Sequence, residues 1–108
     1  MTSEAQYLYL TTIGHKTGKA HEIEIWFVPH EGCYYLVSER FEQSHWVQNI
    51  AATPAIRWRV GSRNAPEILG QGRQVDAGQE PELAAAVCAL MDTKYGWSDG
   101  LIVELCPG

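Results

Sequence analysis

Short segments in which apolar and polar residues alternate limit what this sequence can fold into. In segment 22–28, Ile23, Ile25 and Phe27 alternate with two glutamates and a tryptophan, and segment 56–60 repeats the pattern with two arginines. A period of two puts the apolar side chains on one face of a β-strand. The sequence therefore predicts strands that are buried on one face.

Further strands and two helices complete the predicted order. The other strands are expected at 7–13, 33–38, 67–75 and 101–106, with a turn at 29–32. One helix is capped by Ser44, ends at Pro54 and buries Trp46, Val47, Ile50 and Ala51. The other starts at Pro81, ends at Gly96 and buries Leu83, Val87, Leu90 and Met91. The order β-β-β-α-β-β-α-β has too few helices for a doubly wound sheet, and it favours a small closed or partly closed barrel.

Length, charge and cysteine content restrict the class of protein. The 108 residues predict a single domain spanning 1–108. The net charge of −5 gives no general positive field for nucleic acid or anionic lipid. Three widely spaced cysteines (Cys33, Cys88 and Cys106) are not a disulfide framework, and they favour a reducing compartment. Without a signal-peptide pattern or an apolar run long enough for a bilayer, the expected location is cytoplasmic.

The first candidate site is the segment 14–19, Gly-His-Lys-Thr-Gly-Lys. Its glycines allow backbone amides to turn inward around an anion, and Lys16 and Thr17 add a charge and a hydroxyl. A plain surface turn between two strands explains the same residues, and both interpretations stay open.

The second candidate is the loop Ser38-Glu39-Arg40, which leads from a strand to the helix that starts near Ser44. Amide donors at a helix N-terminus suit the carbonyl edge or the phosphate of a flavin-like ligand. Helix capping with a core tryptophan at 46, and backbone hydrogen bonding by Asn49, are the alternatives.

The third candidate is the segment Lys94-Tyr95-Gly96-Trp97 at the end of the long helix. Aromatic side chains there can wall a ligand slot, and a tyrosine hydroxyl can donate a proton. Packing over the barrel mouth is an equal alternative. The four histidines and three cysteines show no zinc-ligand spacing, so no metal site is predicted.

In succession, these segments resemble the deazaflavin-dependent nitroreductase or quinone reductase family of the split-barrel flavin-binding superfamily. The resemblance rests on 10–18 (LTTIGHKTG), 35–40 (YLVSER), 45–54 (HWVQNIAATP), and 90–97. It implies a mainly β (α+β) fold, a six-stranded split β-barrel like those that bind FMN or oxidise pyridoxine phosphate. The implied cofactor is coenzyme F420, with FMN as the alternative.

By that resemblance, the chain is a deazaflavin-dependent oxidoreductase that passes a hydride to a small electron acceptor such as a quinone, a nitroaromatic or an activated alkene. Lys16, Thr17 and Gly18 would hold the phosphate-bearing tail. Ser38, Glu39 and Arg40 would border the deazaflavin ring, beside Trp46 and Asn49. Ser38 or Tyr95 would supply a hydrogen bond or a proton to the acceptor.

Two departures from the family are visible. His15 stands where members commonly carry arginine, and the chain begins almost at its first strand, without an N-terminal helical extension. Two further hypotheses stay open: a non-catalytic binding protein for an apolar ligand, and a homodimer formed through strand faces that bear Trp26 and Trp58.

Overall fold

The computed structural model describes residues 5–108, which form seven strands, two α-helices and one 3₁₀ turn. The strands are β1 (Tyr7–Ile13), β2 (Ala20–Trp26), β3 (Val28–His30), β4 (Cys33–Ser38), β5 (Ala55–Val60), β6 (Ile68–Val75) and β7 (Leu101–Pro107). The helices are α1 (His45–Ala52) and α2 (Pro81–Tyr95), and the 3₁₀ turn is Phe41–Gln43. The interpretation that no helical extension precedes β1 concerns residues 1–4, which lie outside the described residues.

All seven strands belong to one antiparallel sheet in the order β2-β1-β5-β6-β7-β4-β3. The sheet curls into a half-barrel, so the predicted mainly β barrel with two helices is confirmed. Within residues 5–108, neither helix is long and apolar enough to cross a membrane.

The strand count is seven because the segment predicted as one strand, 22–28, breaks at Phe27. The Phe27 N–H donates to the Tyr95 hydroxyl at 3.1 Å, and the Phe27 carbonyl accepts from Lys94 Nζ at 3.0 Å. The helix α2 thus takes the backbone groups that a strand neighbour would otherwise pair. After the break, β3 forms a hairpin with β4 across Glu31 and Gly32, which both have positive φ. Pro29, predicted in the turn, lies in β3 at the sheet edge.

Strand β4 is buried on both faces and separates two apolar clusters. Leu36 belongs to the cluster inside the barrel, which α1 covers with Val47 and Ile50. Tyr35 and Val37 belong to the cluster beneath α2. The predicted helix faces need correction, because Ala51 and Leu90 are exposed, while Asn49 and Ala84 take buried positions.

Two expectations about side chains at the sheet are wrong. Cys33 and Cys106 form a disulfide, with 4.5 Å between their Cα atoms, because β4 and β7 pair in a register that brings them side by side. Cys88 is the free cysteine. Trp58 is 1% exposed and packs inside the barrel, so it cannot form a homodimer face, whereas Trp26 is 37% exposed.

Candidate functional site

Two cavities meet at Trp46, between α1 and the edge strand β2. The first, here the loop cavity, has a volume of about 470 Å³ and is lined by Thr12, Gly14, His15, Lys16, Thr17, His21, Glu22, Ile23, His45, Trp46, Gln48 and Asn49. The second, here the aromatic cavity, has a volume of about 600 Å³ and is lined by Tyr7, Glu24, Ile25, Trp26, Val37, Ser38, Glu39, Arg40, Ser44, Trp46 and Trp97. Because both contain Trp46 and consecutive residues of β2, they form two ends of one groove.

The β1–β2 loop closes on itself beside the loop cavity. The Gly14 N–H donates to the Lys19 carbonyl at 2.7 Å, and the Gly18 N–H donates to the Gly14 carbonyl at 2.8 Å. A Cβ atom at Gly14 would lie 2.6 Å from Thr17 Oγ1 and 2.9 Å from His21 Nε2, so a side chain there would displace both of these cavity residues. The loop therefore presents Lys16 and Thr17 to the cavity, whereas Gly18 shapes the turn at φ +71° without lining it.

Asn49 connects this loop to the core. It is 4% exposed, its Oδ1 accepts from the His15 backbone N–H at 2.9 Å, and its Nδ2 donates to Thr12 Oγ1 at 3.0 Å. A buried amide whose oxygen and nitrogen are both engaged holds its neighbours in place. Asn49 therefore positions the loop, as the alternative interpretation of this residue predicted, while also lining the cavity.

The loop cavity carries spare positive charge. Lys16 makes no hydrogen bond or ion pair with any other residue in 5–108. The one acid on the wall, Glu22, accepts from Arg63 Nε at 2.8 Å, and this hydrogen bond raises the pKa of the Arg63 guanidinium. Since Arg63 offsets the charge of Glu22, a bound anion would meet little repulsion.

The Ser38–Arg40 turn forms one wall of the aromatic cavity. Ser38 is 2% exposed, and its Oγ donates to the Phe41 carbonyl at 2.9 Å and lies 2.7 Å from Ser44 Oγ. These bonds hold Phe41 at φ +54°, an unfavourable value for a residue with a side chain. Ser44 is the N-cap residue as predicted, but its hydroxyl binds Ser38 instead of a helix N–H. The side chains of Glu39 and Arg40 are exposed on the cavity wall.

Aromatic side chains form much of the remaining wall, together with Glu24, Ile25 and Val37. Trp26 stacks on the Tyr95 ring with centroids 4.4 Å apart and meets Trp97 edge-on at 6.4 Å. The Tyr95 hydroxyl faces the backbone, because it accepts from the Phe27 N–H and lies 2.6 Å from the Gln6 carbonyl oxygen. Tyr95 therefore supports Trp26 from behind, and it does not line either cavity.

The structure brings most of the predicted site residues into one groove. Those that line it are Lys16, Thr17, Ser38, Glu39, Arg40, Trp46 and Asn49, and those that do not are Gly18 and Tyr95. Trp97 lines the aromatic cavity, in agreement with the hypothesis of an aromatic wall at the end of the long helix, whereas the sequence patterns did not assign Tyr7, His21 or His45 to a site. Trp26 carried a usable signal, since a large apolar side chain on the polar face of an alternating strand often marks a binding surface.

The described residues offer one compact set of metal-ligand atoms. Cys33, Glu104 and Cys106 place their ligand atoms within 4.8 Å of one another. The disulfide occupies both sulfur atoms, however, and cysteine binds zinc only as a free thiolate. This set is therefore a cross-link with a neighbouring acid.

Comparison with solved structures identifies the fold. The chain superimposes on an F420 reductase with a TM-score of 0.69 and 18% identity, covering 97% of this chain and 88% of the other. HutZ, the heme storage protein from Vibrio cholerae, gives a TM-score of 0.77 and 16% identity, covering 97% of this chain and 83% of the other. A FAD-binding protein from Mesorhizobium loti gives a TM-score of 0.71 and 9% identity, covering 95% of this chain and 81% of the other. At these identities the likeness shows the shared split-barrel fold.

Comparison of the sequence with family models is more specific. No curated protein matches the chain. The model described as F420H(2)-dependent quinone reductase matches residues 2–95, which include the β1–β2 loop, the Ser38–Arg40 turn and α1. The chain therefore belongs to the F420H(2)-dependent quinone reductase family.

Proposed function

We propose that this protein is a deazaflavin-dependent oxidoreductase that uses reduced coenzyme F420 to reduce a small electrophilic acceptor, such as a quinone, a nitroaromatic or an activated alkene. One observation carries the proposal beyond family membership. A cavity with spare positive charge and a cavity walled by aromatic rings meet at Trp46. This polarity suits a ligand with an anionic tail and a flat ring system.

The residues present fit such a cofactor. Lys16 and Thr17 would hold the phosphate-bearing tail, since the lysine is available for an ion pair and the closed loop keeps both side chains at the cavity. Trp46 stands where the two cavities meet, and its indole can stack on a flat ring. The bound cofactor, in its reduced form, supplies the hydride, and the protein binds, orients and shields it.

The rest of the aromatic cavity would receive the acceptor. Trp26 and Trp97 offer apolar ring faces, which exclude water and favour planar acceptors. Direct hydrogen bonding from Ser38 or Tyr95 to the acceptor stays a prediction. Each hydroxyl would first have to turn away from its backbone acceptor, Phe41 for Ser38 and Gln6 or Phe27 for Tyr95.

Fluorescence titration of F420 into the purified protein tests the proposal. Three of the four tryptophans line the groove and Trp58 lies in the core, so we expect ligand to quench most of the exposed indole emission while a buried component persists. Lys16→Ala should weaken F420 binding by about tenfold or more, in line with loss of one charge-assisted contact. Lys19→Ala is the matched control, since Lys19 does not line the cavity.

FMN titrated in parallel separates the alternatives. The proposed reaction is supported if F420 binds, if Lys16→Ala weakens that binding, and if the protein then catalyses oxidation of reduced F420 by a quinone. Binding of FMN alone would move the protein to the flavin-dependent enzymes. Binding of neither, with an apolar molecule found in the native protein by mass spectrometry, would favour a non-catalytic carrier.

A further inference from the structure

Three of the four histidines in the chain line the loop cavity. His15 comes from the β1–β2 loop, His21 from β2 and His45 from the first position of α1. The His15 and His45 rings are 6.4 Å apart and nearly perpendicular. The fourth histidine, His30, lies in β3 beside Glu31, outside both cavities. The β1–β2 hairpin and the distant helix α1 thus bring three imidazoles to one wall.

Few other charged groups surround these rings. Lys16 is the permanent cation on the wall, and Glu22 is the only acid among the described lining residues, with its charge offset by Arg63. The remaining lining residues are neutral or apolar: Thr12, Gly14, Thr17, Ile23, Trp46, Gln48 and Asn49. Each of the three imidazoles that takes up a proton adds one positive charge to this wall.

The position of the exchangeable proton on His15 follows from its partner. His15 Nδ1 lies 2.7 Å from Asn49 Oδ1, and an amide oxygen only accepts hydrogen bonds. Asn49 donates through Nδ2 to Thr12, which assigns the oxygen to the His15 side. Nδ1 therefore carries a hydrogen in both charge states, and Nε2 gains or loses the proton. Charging this ring breaks no hydrogen bond to Asn49.

His21 is held loosely by comparison. Its Nε2 lies 3.5 Å from Thr17 Oγ1, a distance at which a hydrogen bond contributes little. Thr17 Oγ1 also accepts from the Lys19 N–H at 3.2 Å. Both groups can therefore turn toward a bound anion at small cost, and a protonated His21 would donate to it.

We infer that His15, His21 and His45 are binding residues for the anionic part of the ligand, and that binding at the loop cavity is coupled to proton uptake by these rings. The inference rests on the proposed function, because it describes how the same cavity holds the tail of its cofactor. Lys16 would supply a constant attraction, and the imidazoles an attraction that grows as pH falls. By linkage, each proton taken up on binding steepens the dependence of affinity on pH.

F420 titrations at several pH values test this inference. If one proton is taken up, Kd should fall by up to about tenfold per pH unit between about pH 8 and about pH 6. The triple variant His15→Gln/His21→Gln/His45→Gln should bind weakly and show a flat profile. His21→Lys, with a permanent charge, should tighten binding most at the alkaline end. His30→Gln is the matched control and should keep the wild-type profile.

The outcomes separate this inference from the proposed function. Tight F420 binding with the same Kd at all pH values, or an unchanged profile in the triple variant, would overturn proton coupling and leave the reductase proposal intact. If F420 fails to bind at any pH, the reductase proposal fails, and sulfate followed by NMR then decides the inference. Sulfate keeps a constant charge in this range. Shifts of the His15 and Thr17 amides that grow as pH falls would support a proton-coupled anion site, and their absence would overturn it.

Discussion

The side-chain oxygen of Asn49 accepts two hydrogen bonds from His15, one from its backbone nitrogen at 2.9 Å and one from its ring Nδ1 at 2.7 Å. Through this pair, the helix α1 holds the β1–β2 loop and sets the direction of an imidazole in the loop cavity. The same amide reaches Thr12 in β1 at 3.0 Å. One buried residue thus joins three elements at the proposed tail-binding end of the groove.

Replacing Asn49 should damage stability and ligand binding together. Asn49→Ala leaves the buried Thr12 hydroxyl without its partner and releases the His15 amide, so we expect the free energy of unfolding to fall by about 1–3 kcal/mol. F420 affinity should fall too, because the loop loses its anchor. Urea unfolding and fluorescence titration measure the two effects. Asn64→Ala, the same truncation in an exposed loop, should change neither, and wild-type affinity in Asn49→Ala would show that the loop orders itself.

Ser38 and Ser44 should behave as a pair if their role is to hold the turn. Removal of either hydroxyl breaks the 2.7 Å contact between them, so Ser38→Ala and Ser44→Ala should each lower turnover about fivefold, equivalent to about 1 kcal/mol. Steady-state kinetics with reduced F420 and a quinone measure this. If Ser38→Ala lowers turnover and Ser44→Ala does not, the Ser38 hydroxyl acts through the Phe41 carbonyl or the acceptor, and the contact with Ser44 is not needed.

Tyr95→Phe separates a structural from a catalytic role for this tyrosine. The variant keeps the ring stacked on Trp26 but removes the acceptor of the Phe27 N–H. The free energy of unfolding should therefore fall by about 1–2 kcal/mol. Turnover of the folded enzyme should stay near the wild-type value. Tyr9→Phe, which removes an exposed hydroxyl bonded to Glu24, is the stability control. Full stability with low turnover in Tyr95→Phe would instead support proton donation.

The disulfide between Cys33 and Cys106 can be tested by counting thiols and by mutation. Thiol titration of the denatured, unreduced protein should find one thiol, Cys88, and three after reduction. The cross-link joins residues 73 positions apart. By the loop-entropy relation, the free energy of unfolding of Cys33→Ser/Cys106→Ser should be about 4 kcal/mol lower than that of the wild type. Cys88→Ser should lose little. Three thiols before reduction would contradict the cross-link and support the expectation of free cysteines.

An acid-sensitive ion pair connects α2 to the sheet. Arg73 Nη1 donates to Glu80 at 2.7 Å, and this bond holds the pKa of the Glu80 carboxyl below its ordinary value. A lowered pKa in the folded state stabilises the protein above the ordinary glutamate pKa, and the gain is lost as pH falls through the folded value. Melting curves of wild type and Glu80→Gln should therefore differ at neutral pH and converge in acid. Glu82→Gln, near the start of the same helix, is the control. If the difference in melting temperature between wild type and Glu80→Gln were the same at all pH values, the ion pair would not contribute to stability.

Local patterns in the sequence determined the secondary structure well. The alternation at Ile23 and Ile25 and at Ile56 and Trp58 specified strands with the correct buried face, because side-chain direction in a strand depends only on neighbouring positions. Pro81 and Gly96 marked the ends of α2 for the same reason, since each acts through its own backbone angles.

The pairings between distant segments were decided only by the tertiary structure. No local signal shows that Phe27 loses its strand neighbour to Lys94 and Tyr95, or that β4 and β7 bring Cys33 beside Cys106. The same is true of His45 and Trp26, which meet His15 and Tyr95 respectively only after the sheet has curled. Register and curvature follow from the packing of the whole core, and they decide which side chains share a cavity. The sequence alone therefore indicated the strands, the family and most of the residues of the groove, while the fold determined which of those residues share a cavity.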